Sequence, residues 1–577
     1  MKLTSLLITA YLFWGTVVQA ELCSIATYDT KTIDITLPCV RIGNSQVSTK
    51  LNWINQTHLG PATSEGLYWK LTLEQVELSP CASNYPKCAI LDNNLNFTIP
   101  VEINGVEQTA FLTRYPTMRG LYWRYDGLKA NEDEQFAQVL NFMETELEEN
   151  KVPGGAIAII THGKLLNAAG VGVKHYGKTT PVNAETLFAA GSTAKMLTAA
   201  AVMTLVDEER IRTEAPITDY VPYFSLLTPH DPSSLSVHQI LTHTAGLPDA
   251  GEDVCETDTE ALSRWYRENT NMPLFTPPGL LFNYSNIGYS LLGLLVEEVS
   301  DLPFVEAMQQ RIFEPLGMTR TTYDSSTVPT LDNYAIGHLE QNEEVQFISP
   351  STYHCAYTRP AGGGGFYSTV IDMAHFVEML LAQGQSVLSP AAVETMMTPH
   401  IKTYWLPGES SGFGLLVSDY KGIPVVYHGG SIGGFTATVW LVPKHNFGLV
   451  VMLNASHYFI DIIAQQALDT YFDLSDIAQP DFSTPPDRWD IYTGTYYDPY
   501  TFGEFEVFQD SEQRLWVGIM EDGEFETSEL IQIAGDAFVF ELDDDEYLMM
   551  NFVSNELGKV EYFVTRVGVG KRVEDSR

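Results

Sequence analysis

Strand-like apolar runs stand at both ends of a long succession of helical patterns between residues 132 and 454, and this arrangement constrains the fold more than any other feature of the chain. A helical stretch over 132–149 leads into apolar runs at 155–160 and 165–173, separated by a turn at His162-Gly163. Residues 192–206 and 282–299 then place apolar side chains at helical spacing, and strand patterns return at 425–428, 435–442 and 447–454. Sheets with an apolar face need helices or a second sheet to cover them. The expectation is an α/β domain in which helices flank a sheet.

At 577 residues the chain is too long for one core, so several domains are expected. Residues 21–128 offer short strand patterns such as 67–73 and 96–103, broken by Gly, Pro and Asn, and read as a small N-terminal β domain. The α/β domain is assigned to 129–475. After Pro480, Pro485 and Pro486 the pattern changes to short strands, and 485–577 reads as an antiparallel barrel or sandwich. The acidic run Asp543-Asp544-Asp545-Glu546 reads as a solvated turn and not as a calcium loop.

Lys and Arg number 32 against 73 Asp and Glu, a net charge of −41 that repels phosphate backbones and anionic lipid, so nucleic acid is not an expected partner. Met1-Lys2, an apolar run over 6–18 and Val18-Gln19-Ala20 match a secretory signal over residues 1–20. The expected location is periplasmic or secreted, with no membrane span once the signal is removed. The six cysteines suit an oxidising compartment, with pairs expected as Cys23–Cys39, Cys81–Cys88 and Cys255–Cys355, against the alternative of buried free thiols.

Three short elements carry chemistry. In Phe188-Ala-Ala-Gly-Ser192-Thr-Ala-Lys195, Ser and Lys lie one helical turn apart and share a face. A hydroxyl becomes a nucleophile when a base takes its proton, and a desolvated lysine serves as that base. The second element, Phe282-Asn-Tyr284-Ser-Asn286, sets a phenol and an amide two residues apart. Tyr284 can move a proton as a phenolate or through the lysine, while Asn286 orients substrate and Lys195. The third, Tyr427-His428-Gly-Gly430-Ser431-Ile-Gly-Gly, runs from a strand into glycines that let substrate lie along the backbone. Its Ser431 N–H, with that of Ser192, can form an oxyanion hole. His243, in Leu241-Thr-His-Thr-Ala-Gly246, reads as structural. No His-Glu-x-x-His pattern joins His238 to His243, so no metal site is expected, and no cofactor.

The elements follow one another with separations of 284 − 192 = 92 and 428 − 284 = 144 residues. In that order they resemble the serine β-lactamase and penicillin-binding-protein family, in its class C, D-aminopeptidase and esterase branch. Residues 235–248, 314–318 and 360–369 are also family-like, and the resemblance covers about 132–454. It implies that the first and last strands meet in one antiparallel sheet, that Ser192, Lys195 and Tyr284 are catalytic, and that Asn286, His428, Gly430 and Ser431 bind substrate. His428 stands where the β-lactamases have lysine, and such members are often esterases or D-amino-acid-releasing peptidases. Tyr492-Thr-Gly-Thr-Tyr496 resembles a lipocalin-like module appended to many of these hydrolases.

The function expected from these readings is an exported serine hydrolase that forms an acyl-enzyme on Ser192. Its substrates are small-molecule esters, amides or D-amino-acid-containing peptides. The alternative is a non-hydrolysing penicillin-binding or sensor-type protein whose site deacylates slowly or is vestigial.

Overall fold

The computed structural model describes the strands between residues 20 and 129 by their backbone, and then residues 132–573. Within the latter range it omits 250–258, 270–271, 342–343, 349–364, 386, 457–458, 473, 475–488, 499–501, 522–523, 544–545, 556 and 567. Residues 1–19, which carry most of the signal pattern, lie outside it, as do Cys23, Cys81, Cys88, Cys255 and Cys355, two residues of the acidic run and the glycines at 362–364. The chain divides into two compact units, Met1–Gln138 and Val139–Arg577.

The first unit contains a nine-stranded antiparallel sheet. Its central strands are long, with Val106–Thr117 paired to Phe97–Ile103 on one side and to Gly120–Lys129 on the other. Ala20–Leu22 pairs with both Ile90–Leu91 and Ile35–Ile42, which closes the strand order on itself. Helix α1, Glu132–Glu149, follows.

In the second unit the strands are β1 (Gly154–Thr161), β2 (Lys164–Gly172), β3 (Ile401–Lys402), β4 (Ser410–Ser411), β5 (Leu416–Tyr420), β6 (Ile423–Ile432), β7 (Phe435–Val442) and β8 (Phe447–Leu453). They form one antiparallel sheet in the order β2-β1-β8-β7-β6-β5-β4-β3. The two ends of the domain meet where β1 pairs with β8, from Gly155 opposite Leu453 to Ile160 opposite Gly448. The Asn454 side chain fastens this junction by accepting from the Gly154 N–H at 2.8 Å.

Every residue of β1, β7 and β8 is buried, as continuous apolar runs require when both faces of a sheet are covered. The covering helices are α4 (Val370–Leu381) and α5 (Ile460–Phe472). Thr438 bonds Asp461 of α5 and is paired with Val451, whereas Gly448, three residues away from Val451, lies against Val377 of α4. Side chains alternate along a strand, so the two helices take opposite faces. Helices α2 (Ala194–Asp207) and α3 (Asn286–Ser300) complete the core. In α2 all residues from Ala194 to Leu205 are buried, and its run of alanines at 199–201 lets neighbours approach closely.

The C-terminal nine-stranded sheet belongs to the same compact unit. Its first strand, Gly494–Asp498, pairs with both the next strand, Gly503–Gln509, and the last, Val569–Arg572. The edges Glu524–Glu529 and Ile531–Ala534 are joined by one residue, so the sheet nearly closes into a barrel around Tyr496, Phe505, Phe552 and Phe563. The lipocalin-like character expected of this segment stays an expectation.

Candidate active site

Ser192 sits in a short 3-10 turn, Gly191–Thr193, that feeds directly into α2. The turn begins with Gly191 at φ +51°, a left-handed conformation that costs a residue with a Cβ far more than it costs glycine. One helical turn further, Lys195 is fully buried, and its Nζ donates to Ser192 Oγ at 3.0 Å and to Asn286 Oδ1 at 2.6 Å. Burial pushes the ammonium down to about 7, with Asp249 opposing. At neutral pH much of Lys195 is therefore an unprotonated amine beside a hydroxyl.

Tyr284 and Asn286 enter from the start of α3. Ser285 caps this helix, accepting from the Gly288 N–H at 2.8 Å and donating to the Pro248 carbonyl at 2.6 Å. The Tyr284 ring lies 4.7 Å from Lys195 Nζ, and its hydroxyl bonds Ser192. Burial pushes the phenol well above its usual range, which outweighs the opposing Ser192 bond. Of the two forms the sequence left open for Tyr284, the structure favours the neutral phenol at pH 7.

The segment from His243 to Asp249 braces this motif. His243 holds φ +57°, stacks on Tyr284 at 4.5 Å and accepts the Ser285 N–H on Nδ1 at 3.0 Å. Its imidazole is driven far down by burial and by the charge of Lys195, so it stays neutral. Asp249 Oδ1 accepts from both the backbone N–H of Asn286, at 3.0 Å, and its Nδ2, at 2.8 Å. That fixes the amide so that its oxygen faces Lys195. Asp249 was not among the sequence candidates, and the family-like stretch recognised there stops at Pro248, one residue short of it.

The third element closes the site. β6 runs against the serine turn so tightly that a Cβ on Gly430 would lie 2.2 Å from the Ala190 oxygen and 2.8 Å from the Ser192 nitrogen. A Cβ on Gly191 would meet the Ser431 nitrogen at 2.9 Å. The backbone nitrogens of Ser192 and Ser431 thus belong to touching segments. His428 shares the Gly430 side of the strand, while Tyr427 faces the other way and stacks on Trp440 at 4.7 Å. Burial, then the charge of Lys195, push the His428 imidazole down to about 3, and its Nδ1 donates to the Gly429 carbonyl at 2.6 Å.

All seven sequence candidates therefore lie in one place, at the start of α2, at the start of α3 and on β6. A further wall comes from Trp405, whose ring stands 5.0 Å from Phe282 and 5.4 Å from Tyr284. Among the described residues no group of three His, Cys, Asp or Glu side chains is placed to hold a metal, and no helix is long and apolar enough to cross a membrane. His238 instead lies beside His400, 3.4 Å away, within an aromatic contact that includes Phe413.

A family model described as Beta-lactamase matches residues 139–469, more than half of the chain. The chain belongs to the beta-lactamase family. Among relatives, penicillin-binding protein 4 of Amycolatopsis lactamdurans is 27% identical over 355 residues, covering 59% of this chain and 90% of that protein. Protein flp of Staphylococcus aureus strain MW2 is 23% identical over 336 residues, covering 56% of this chain and 64% of its own. Among solved structures, the octameric penicillin-binding protein homologue of Pyrococcus abyssi aligns with a TM-score of 0.53 at 25% identity, over 75% of this chain and 99% of that one. SurE aligns at 0.61 with 22% identity, over 77% and 100%. EstCE1, a hydrolase with promiscuous acyltransferase activity, aligns at 0.52 with 22% identity, over 59% and 99%. The beta-lactamase match spans all three motifs, and the antiparallel sheet with its flanking helices is the fold of these neighbours.

Proposed function

We propose that this beta-lactamase-family chain is a serine acyl hydrolase that works through an acyl-enzyme on Ser192. The observation that carries the reading is Lys195 Nζ, fully buried, 3.0 Å from Ser192 Oγ and pushed down to about 7. A base poised near the working pH is what deprotonating a hydroxyl demands.

The Ser192 proton passes to Lys195 as Oγ forms a bond to the substrate carbonyl carbon and the π electrons move onto oxygen. Backbone N–H groups of Ser192 and Ser431 receive that oxyanion, donors worth about 3–4 kcal/mol each at such sites. Collapse breaks the bond to the alkoxide or amine leaving group, which takes its proton through the neutral Tyr284 phenol, resupplied from Lys195. Water repeats the sequence on the acyl-enzyme and releases the acid. Asn286, held by Asp249, keeps Lys195 aimed at the serine. Neutral His428 shapes the strand along which the acyl chain lies.

The substrates are small-molecule esters or amides, or D-amino-acid-containing peptides, and the signal-like pattern at residues 1–20 supports a reaction outside the cytoplasm. The penicillin-binding names of two of the proteins it resembles support an acyl donor of this kind. The test is turnover of purified protein on p-nitrophenyl esters, D-amino-acid amides, nitrocefin and peptidoglycan stem peptides. Release of many equivalents of product supports hydrolysis. A halt after one equivalent identifies the acyl-trapping, penicillin-binding alternative instead.

A further inference from the structure

The turn after the strand Val560–Thr565 in the C-terminal sheet is anchored on the catalytic domain. Trp405 Nε1 donates to the Thr565 carbonyl at 3.2 Å, and Asn551 Nδ2 donates to the Tyr404 carbonyl. Beneath these bonds Val564 and Val569 bury themselves against Leu281, the residue that precedes the Phe282-Asn-Tyr284 motif. The turn is also tied internally, since Thr565 N–H donates to the Gly568 carbonyl at 2.8 Å and Gly568 N–H donates to Thr565 Oγ1 at 2.9 Å. Arg566 follows Thr565 directly and is exposed. Its guanidinium carbon lies 6.0 Å from the centre of the Trp405 ring, which is itself 5.4 Å from the ring of Tyr284.

The charge of Arg566 is felt at Tyr284, at His428 and at Glu409, so it acts on groups from two of the three motifs. Among the described residues it forms no ion pair. The two carboxyl groups within its field are engaged by other donors, Glu409 by the Thr403 hydroxyl at 2.5 Å and the Tyr427 hydroxyl, and Asp461 by the Thr438 hydroxyl at 2.9 Å and the Trp440 indole N–H at 3.2 Å. A chain with net charge −41 discourages anionic ligands, and an exposed guanidinium beside Trp405 reverses that locally. A guanidinium over an aromatic face presents a fork of donors that fits a carboxylate bidentately.

We propose that Arg566 is an anion anchor that selects acyl donors carrying a carboxylate beyond the scissile carbonyl, so that the C-terminal sheet completes the substrate site. The proposal rests on the acyl-hydrolase reading and names its substrate class. The carboxylate end of the substrate lies on Arg566, the apolar middle passes Trp405 and the carbonyl reaches Ser192.

The test compares two esters of equal chain length, p-nitrophenyl hydrogen glutarate and p-nitrophenyl pentanoate, on the full-length protein and its Arg566→Gln, Arg566→Lys and Arg566→Glu variants. The readout is the ratio of kcat/KM for the anionic to the neutral ester, with fluorophosphonate labelling of Ser192 measured in parallel. The expected result is a ratio that falls at least about tenfold in Arg566→Gln, equivalent to ~1.4 kcal/mol, with the change in KM. It falls further in Arg566→Glu and recovers in part in Arg566→Lys. Intact labelling with an unchanged ratio overturns the anchor alone. Equal loss on both esters in all three variants also overturns it, because that makes Arg566 a support of the fold. Absence of labelling in the wild type overturns the hydrolase reading and the anchor with it.

Discussion

Replacing Asp249 by asparagine removes one charge from the site and keeps a side-chain oxygen that can accept the Asn286 N–H. In the wild type, bonds of 2.8 Å and 2.6 Å connect the carboxylate to Lys195 through the Asn286 amide. That chain puts the two charges about 6 Å apart, an attraction of ~0.7 kcal/mol in a water-like medium and ~3 kcal/mol at an effective dielectric near 20. The negative charge favours protonated Lys195 and holds its pKa up, against burial that pushes it down to about 7. Asp249→Asn therefore lowers the Lys195 pKa by roughly half a unit to two units. In the proposed mechanism the unprotonated amine is the active base, so the acidic limb of kcat/KM moves to lower pH by that amount. The plateau falls as well, since Asn286 loses a charge-assisted anchor. Initial rates on a p-nitrophenyl ester from pH 4.5 to 9 measure both effects. A limb that stays near 7, or moves upward, would refute the assignment of Lys195 as the titrating base.

Further expectations concern the other elements of the site. Lys195→Ala, Tyr284→Phe and the double variant should each lose about 10²-fold or more in kcat, with the double no worse than the poorer single, as members of one proton relay behave; additive losses contradict the relay. Gly430→Ala places a Cβ where 2.2 Å separates it from the Ala190 oxygen, so β6 must withdraw from the serine turn. Thermal unfolding should report an overpacking cost of about 1–3 kcal/mol, and fluorophosphonate labelling should slow sharply. His428→Gln should leave the acidic limb in place, because an imidazole pushed down to about 3 is already neutral above pH 4. Loss of the limb in that variant would transfer the titration to His428.

The parts of the site legible in the sequence are those that sit in short contiguous runs. Ser192 and Lys195 are three residues apart across one helix start, Tyr284 and Asn286 flank a helix cap, and Gly430 and Ser431 follow His428 on one strand. Asp249 was invisible because its contact with Asn286 spans 37 residues and depends on the path of the loop after Pro248. Trp405 and Arg566 were invisible for the same reason on a larger scale, as 160 residues separate Trp405 from the Thr565 carbonyl it binds. Periodicity indicated sheet and helix, yet the joining of β1 to β8 came from family resemblance, since no local pattern specifies a pairing of residues 300 apart. The protonation of Tyr284 and His428 depends on burial, which only the packed structure supplies.

In the proposed mechanism Ser192 carries the acyl group. Purified protein mixed with excess p-nitrophenyl ester, quenched in acid within the first turnovers and digested for mass spectrometry, tests it directly. The expected result is a peptide containing Ser192 heavier by one acyl group, and no adduct anywhere in Ser192→Ala. An adduct on another residue, or turnover that persists in Ser192→Ala, would contradict it.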